Sequence, residues 1–244
     1  MVKTKSEKHF GVVANGLTNI RLAKALRKYR GAFCCAIAKK EDIFMPLHFR
    51  HAVLEDVASC AEIYRPYVEK TSITFEYIPP EEAEFARRME CYTPAFPWIV
   101  AQIGKTVIGY AYGSPQNTRE AYQWNADLAI YLYEEARGKG IGRLLYGCLL
   151  DLLTMQGYCR AVGIVTHPNP GSEALHQAMG FSSAAFWEKA GYKLGEWHDV
   201  QWFQKQIAPF PAHPHPPVPI TELDEQRVQE LFRQYTVRAQ TGRY

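Results

Sequence analysis

Residues Ala126 to Gly142 read ADLAIYLYEEARGKGIG, and the fold turns on how that stretch is parsed. Leu128, Ile130 and Leu132 alternate with Ala129, Tyr131 and Tyr133, the period of a strand. An acidic turn, Glu134-Glu135-Ala136, ends it. Arg137-Gly138-Lys139-Gly140-Ile141-Gly142 follows, and then Ile141, Leu145, Leu149 and Leu152 recur at helix-core spacing. Strand, glycine-rich basic loop and helix form an arrangement that holds phosphate. The helix start offers unpaired amides and partial positive charge, and glycines let the backbone approach the ligand. Arg137, Lys139 and Arg143 add charge.

Working outward, the flanks read as alternating strands and helices. Leu47 to Ala52 has the pattern of an edge strand. Leu54 to Tyr67 carries a helical period expected to end at Pro66 or just after it. Ser72 to Glu76 reads as a short extended piece, and Pro79-Pro80 introduces a helix from Glu81 to Glu90. Trp98–Gln102 and Val107–Tyr112 read as strands joined by the hairpin signal Ile103-Gly104-Lys105-Thr106. Beyond the glycine loop, Ala161–Thr166 is an apolar strand of the buried sort. Asn169 then caps a short helix with Pro170 at its first turn. Two aromatic-rich strands follow from Phe186 to Phe203.

The two ends differ from this body. Residues 1–46 hold ten Lys/Arg against three Asp/Glu, leaving eighteen against twenty-two for the rest. The overall +3 therefore conceals a basic N-terminal extension on a mildly acidic body. Within it, Leu17–Arg30 reads as a basic amphipathic helix and Gly31–Ala38 as a short apolar run. Residues 207–220 contain six prolines and read as a stiff linker. A last helix is expected from Thr221 to Arg238 within residues 221–244, with Leu223, Val228, Leu231, Phe232 and Tyr235 on one side. The residues leave open whether it docks on the body or on a partner. Six cysteines show no CxxC spacing and no clustered histidines, so neither a metal site nor a disulfide framework is expected. No apolar run reaches the roughly 18 residues of a membrane span. The expected setting is cytoplasmic, with no nucleic-acid or membrane partner.

Two common phosphate loops are excluded. There is no GxxxxGK[ST], and Gly138-x-Gly140-x-Gly142 lacks the GxGxxG spacing of a dinucleotide fingerprint. What matches is Arg-x-x-Gly-x-Gly, as Arg137, Gly140 and Gly142, directly after a strand. With the order of elements around it, this resembles the GNAT family of acetyl-CoA-dependent N-acetyltransferases. Residues 47–206 resemble its phosphinothricin/methionine-sulfone acetyltransferase branch. The resemblance is carried by Thr71–Glu76, Val107–Ser114, ARGKGIGRLLY, Pro168-Asn169-Pro170-x-Ser172-x-x-Leu175-His176, and Gly195-x-Trp197-His198-Asp199-Val200. It implies an α/β GNAT fold, a mixed central sheet with helices on both faces, here with N- and C-terminal extensions.

Acetyl transfer from a thioester to an amine needs a neutral amine, a stabilised oxyanion and a protonated leaving thiolate. Free amines and thiols titrate near about 10 and 8.5, so both proton transfers need help. The resemblance implies that Ile130, Tyr131 and Leu132 present backbone groups to acetyl-CoA. It implies that Arg137, Gly138, Lys139, Gly140, Ile141, Gly142 and Arg143 hold the pyrophosphate without a metal, and that Asn169 meets the cofactor arm. Asp127 stands where the branch carries a glutamate just ahead of the cofactor strand, one methylene shorter, which favours a water relay. His176 stands where many relatives have the tyrosine that protonates the thiolate, and where this branch has histidine. Phe75, Glu76 and Tyr112 are implied in the substrate pocket. Arg119 is kept in a loop whose Gln116 and Asn117 depart from the branch. The implied reaction acetylates a small amino-acid-like amine, methionine sulfone, methionine sulfoximine or phosphinothricin, in a homodimer. Acetylation of a peptide or other amine, and a non-catalytic acyl-CoA-binding regulator, remain open alternatives at this point.

Overall fold

A computed structural model describes residues 46–242. Seven strands form one sheet in the order β1-β2-β3-β4-β5-β7-β6: β1 Leu47–His51, β2 Trp98–Ile103, β3 Thr106–Pro115, β4 Asn125–Leu132, β5 Arg160–His167, β6 Ser182–Lys193 and β7 Glu196–Gln206. The helices are α1 Val57–Lys70, α2 Glu82–Tyr92, α3 Ile141–Gln156, α4 Pro170–Ala178 and α5 Glu225–Thr241. The expected helix at 17–30 and run at 31–38 lie outside the described residues.

Pro66 does not end its helix. α1 runs on to Lys70 because Tyr67 and Val68, beyond the proline, are buried against the sheet, and that burial outweighs the missing backbone donor. Residues 72–76 form a bend-rich loop rather than an extended piece. Asn169 does cap α4, its side chain accepting from the Ser172 amide at 3.2 Å.

The sheet separates two cores. α1 and α2 cover one face over Trp98, Val100 and Tyr110. α3 covers the other over Ile99, Ala101, Ile108 and Ala111. The register pairs Tyr110 with Tyr131, Tyr112 with Ala129 and Ser114 with Asp127, so these residues share the α1/α2 face. Side chains alternate along a strand, which turns Leu128, Ile130 and Leu132 toward α3.

One joint in the sheet is open. β4 runs parallel to β5 only where Asn125–Asp127 meet Arg160–Val162, although both strands continue past it. From Leu128 onward they part, and β5 stays fully paired with β7 on its other side.

The C-terminal helix docks on the body. Val228, Phe232, Tyr235 and Ala239 join the α3 core. The Tyr235 hydroxyl donates to Asp151 at 2.7 Å, and its ring lies where a Cβ on Gly147 would fall, 3.0 Å from the hydroxyl oxygen. The preceding proline-rich strap is pinned by Gln156, whose amide donates to the carbonyls of Ala95 and Val218 at 2.7 Å each. Phe232→Ala should therefore lower unfolding stability by about 3–5 kcal/mol, read as a lower denaturation midpoint with an unchanged slope.

Candidate active site

The gap between β4 and β5 leads to the glycine loop. Gly140 adopts φ 78° as the residue preceding α3, a conformation that favours glycine. Gly138 has φ 68°, and a Cβ there would meet nothing within 4 Å. The Arg143 and Leu144 amides both return to the Gly140 carbonyl at 3.1 and 3.2 Å, so the amides of Ile141 and Gly142 precede the helix's own ladder. Arg137, Lys139 and Arg143 surround this start, with Arg137 stacked over the Tyr67 ring at 4.7 Å. An N-terminus so built, 16 residues of helix behind it, attracts an anion.

The strand residues named for the same ligand divide by parity. Tyr131 directs its peptide groups to β3, as the pairing of Tyr133 with Ile108 at 3.0 Å requires. Ile130 directs its own into the gap. Leu132 faces the same way, but the Tyr67 hydroxyl already accepts from its amide at 3.0 Å and donates to its carbonyl at 2.7 Å.

A narrow cavity of about 60 Å³ fills the wedge where the strands part. Leu128, Ile130, Tyr131, Tyr146, Asn169 and His176 are among its walls. His176 is buried, its Nδ1 2.8 Å from the Ser172 carbonyl and its Nε2 3.0 Å from the Tyr146 hydroxyl. A carbonyl can only accept, so Nδ1 carries the proton and Nε2 accepts from Tyr146. Burial lowers the His176 pKa and raises that of Tyr146, the latter helped by the Asp127 charge. Both are thus neutral near neutrality, and Tyr146 carries the mobile proton. Gly163 makes room for this pair, since a Cβ there would lie 2.2 Å from His176 Nε2.

Asp127 is the last paired residue before the gap. Its Oδ1 is buried without a hydrogen-bond partner, and burial pushes its pKa up to about 7. An unpaired buried carboxylate is costly and is poised to take a proton at physiological pH.

A second cavity, about 200 Å³, opens on the α1/α2 face beside Tyr112 and Tyr131. Trp98 stacks on Tyr112 at 4.2 Å and Tyr64 meets Tyr131 edge-on at 4.8 Å. Glu76 is on its wall, where Arg88 binds it in a two-pronged pair at 2.7 and 3.2 Å. Tyr131 lines both cavities, so β4 is the shared wall. Phe75 turns instead onto Gly191, where a Cβ would lie 2.3 Å from its ring. Arg119 lies on an exposed turn, its amide donating to Asn117 at 3.0 Å. His198 bonds the Lys193 carbonyl at 2.9 Å and Asp199 accepts from the Lys189 amide at 2.8 Å, so this pair holds the β6–β7 hairpin.

The structure therefore gathers Ile130, Tyr131, Asn169 and His176 at one cavity and Glu76, Tyr112 and Tyr131 at another. Sequence reading missed Tyr146, Gly163, Tyr64 and Arg88. The one available signal was Tyr146 itself: a hydroxyl in an otherwise apolar helix stripe needs a buried partner. Among the described residues no group of His, Cys, Asp and Glu is arranged to hold a metal, and no helix is long and apolar enough to cross a membrane.

The model of the acetyltransferase (GNAT) domain family matches residues 49–202. A phosphinothricin N-acetyltransferase of Streptomyces viridochromogenes is 33% identical over 178 residues, 73% of this chain and 97% of that protein. An L-methionine sulfoximine/L-methionine sulfone acetyltransferase of Salmonella typhimurium is 26% identical over 65% of this chain and 93% of its own length. The crystal structure of a GNAT superfamily phosphinothricin acetyltransferase from Sinorhizobium meliloti, in complex with AcCoA, superposes with a TM-score of 0.68 at 37% identity, over 71% of this chain and 96% of that one.

Proposed function

Because this chain belongs to the GNAT acetyltransferase family, we propose that its open β4–β5 joint is the site where an acetyl group passes from acetyl-CoA to the amino group of a small amino acid. The substrate is of the methionine sulfone, methionine sulfoximine or phosphinothricin type. Acetyl-CoA supplies an activated thioester when bound. The residues fit it: an anion-attracting helix start with flanking cations lies at one end of the gap, and an unpaired acid lies at the other.

In this reading the amides of Gly138 to Gly142, with Arg137, Lys139 and Arg143, hold the pyrophosphate. The Ile130 peptide group bonds the extended arm, and Asn169 meets that arm while capping α4. Asp127 takes the amine proton, directly or through a water, and its raised pKa makes it a competent acceptor near neutrality. Tyr146 turns its one hydroxyl proton from His176 Nε2 to the leaving sulfur, and His176 holds the phenol oxygen in place until then. Glu76 and Tyr112 belong to the substrate cavity, while Arg119, on an exposed turn, is available to a substrate carboxylate. The single observation carrying the reading is the half-buried Asp127, whose Oδ1 is enclosed without a partner where the strands part.

His176→Ala is expected to lower kcat by roughly 10- to 100-fold with the Kd for acetyl-CoA nearly kept. Stopped assays and calorimetric titration check the two halves separately. We also propose a homodimer joined through the β6–β7 hairpin, whose Trp187, Tyr192 and Trp197 are 48–59% exposed, large aromatic side chains that a partner surface would cover. The reaction is placed in the cytoplasm, where Cys60, Cys91, Cys148 and Cys159 remain as the free thiols they are here. Thiol release from acetyl-CoA across amino acids, sulfones and peptides tests the substrate assignment. Turnover confined to peptides, or binding without turnover on any amine, would replace it.

A further inference from the structure

The cavity on the α1/α2 face carries a charge pattern that bears on substrate choice. We infer that it receives the substrate side chain, and that the Glu76–Arg88 pair on its wall makes the enzyme select a neutral, oxygen-tipped side chain over an anionic one of the same shape. The inference rests on the acetyltransferase reading above and deepens it, by choosing among substrates that reading leaves together.

Position comes first. Asp127, Ala129 and Tyr131 lie on one face of β4, and Tyr112 is paired with Ala129. Residues two apart on a strand are separated by about 7 Å. A substrate whose amine is at Asp127 therefore lays its side chain over Ala129 and Tyr112 and into the space beyond. The cavity lined by Tyr64, Glu76, Tyr112 and Tyr131 adjoins that face at Tyr112.

Chemistry comes next. The walls are aromatic, with Tyr64, Tyr92, Tyr110, Tyr112 and Tyr131 among them. Burial raises the pKa of Tyr110 and Tyr112 well above the ordinary phenol value, and that of Tyr64 to about 12. They are donors, not phenolates. The Tyr64 hydroxyl is occupied by Thr74 and Glu76 at 2.7 and 3.0 Å. Those of Tyr110 and Tyr112 bond no described residue and are available to an acceptor oxygen.

Charge decides the rest. The Arg88 guanidinium lines the cavity, but Glu76 takes two of its donors and Glu84 a third at 2.8 Å. Glu84 is shared with Arg87, so two carboxylates balance two guanidinium groups and the Arg88 charge is neutralised. An anionic side chain entering here would lose water and meet the Glu76 carboxylate, while the nearby Lys193 ammonium is already held by the Thr74 carbonyl at 2.6 Å. A cationic one would meet Arg88. A sulfone or sulfoximine accepts from phenols and carries no charge to compensate.

Methionine sulfone and phosphinothricin make the test. Their side chains have the same length and similar tetrahedral tips, and they differ in the negative charge of the phosphinate. For the full-length protein we expect kcat/KM for methionine sulfone to exceed that for phosphinothricin by at least tenfold at pH 7.5. Glu76→Gln releases Arg88 and should shrink or invert that ratio by at least tenfold, chiefly through KM for phosphinothricin. Arg88→Gln should widen it. Should either variant misfold, Tyr110→Phe, which keeps the packing and removes one donor, should raise KM for the sulfone more than for alanine. Wild-type preference for phosphinothricin, or a ratio unmoved by both charge variants, would overturn the inference while leaving the acetyltransferase reading intact. Absence of turnover on every amino acid would overturn the reading beneath it as well.

Discussion

Asp127→Asn should lower kcat/KM by about 100- to 10,000-fold while acetyl-CoA still binds. The substitution keeps size and shape and removes only the ability to accept a proton. Burial raises the carboxyl from its ordinary 3.8 to about 7, so the base form appears as pH rises through neutrality. Wild-type kcat/KM should accordingly climb between pH 6 and 8 and level off above. The variant's residual rate should lack that inflection. A stability consequence of opposite sign accompanies it. A carboxyl whose folded-state pKa is raised contributes most below its unfolded value, and that contribution is lost as pH rises through about 7. The charged form thus costs the fold up to the order of 4 kcal/mol, which the amide avoids. Asp127→Asn should melt higher than wild type at pH 8 and similarly at pH 4. An inactive variant with an unchanged or lower Tm at pH 8 would show that the carboxyl is not the strained, unpaired group described here.

Gly140→Glu should weaken acetyl-CoA binding by at least 100-fold, about 2.7 kcal/mol. Two effects combine. The residue before α3 sits at φ 78°, where a side chain costs about 1–2 kcal/mol. The new carboxylate also adds a negative charge at the helix start proposed to hold the pyrophosphate. Gly140→Ala isolates the backbone part and should lose roughly tenfold by itself. Calorimetric titration with acetyl-CoA separates the two, and wild-type affinity in the glutamate variant would remove the loop from the cofactor site.

Local patterns carried most of the fold. The alternation of Leu128, Ile130 and Leu132 and the glycines of the loop are short-range signals, and the strand, cradle and helix stand where they imply. Asp127 and His176 stand out in the sequence because their types suit the proposed chemistry, and the fold sets both beside the β4–β5 gap. Long-range pairings were not. The Tyr67 hydroxyl that takes the Leu132 peptide groups is 65 residues away in sequence, and nothing local in α1 announces it. Gly163 reads as one small residue in an apolar strand until His176 is packed against it. Arg88 reads as one more charge on a solvated helix, and only the fold of the 72–76 loop brings Glu76 to it. Pro66 misled for a related reason, since propensity alone cannot weigh the burial of Tyr67 and Val68. The docking of the last helix likewise depends on a fit between Tyr235 and the notch at Gly147.

The most direct test follows the acetyl group itself. Acetyl-CoA isotopically labelled in its carbonyl carbon is incubated with the protein and methionine sulfone, and the product is read by NMR. The account predicts label in an amide on the α-nitrogen, formed by wild type and nearly absent with Asp127→Asn. Label remaining on the thioester, or released only as acetate, would contradict it.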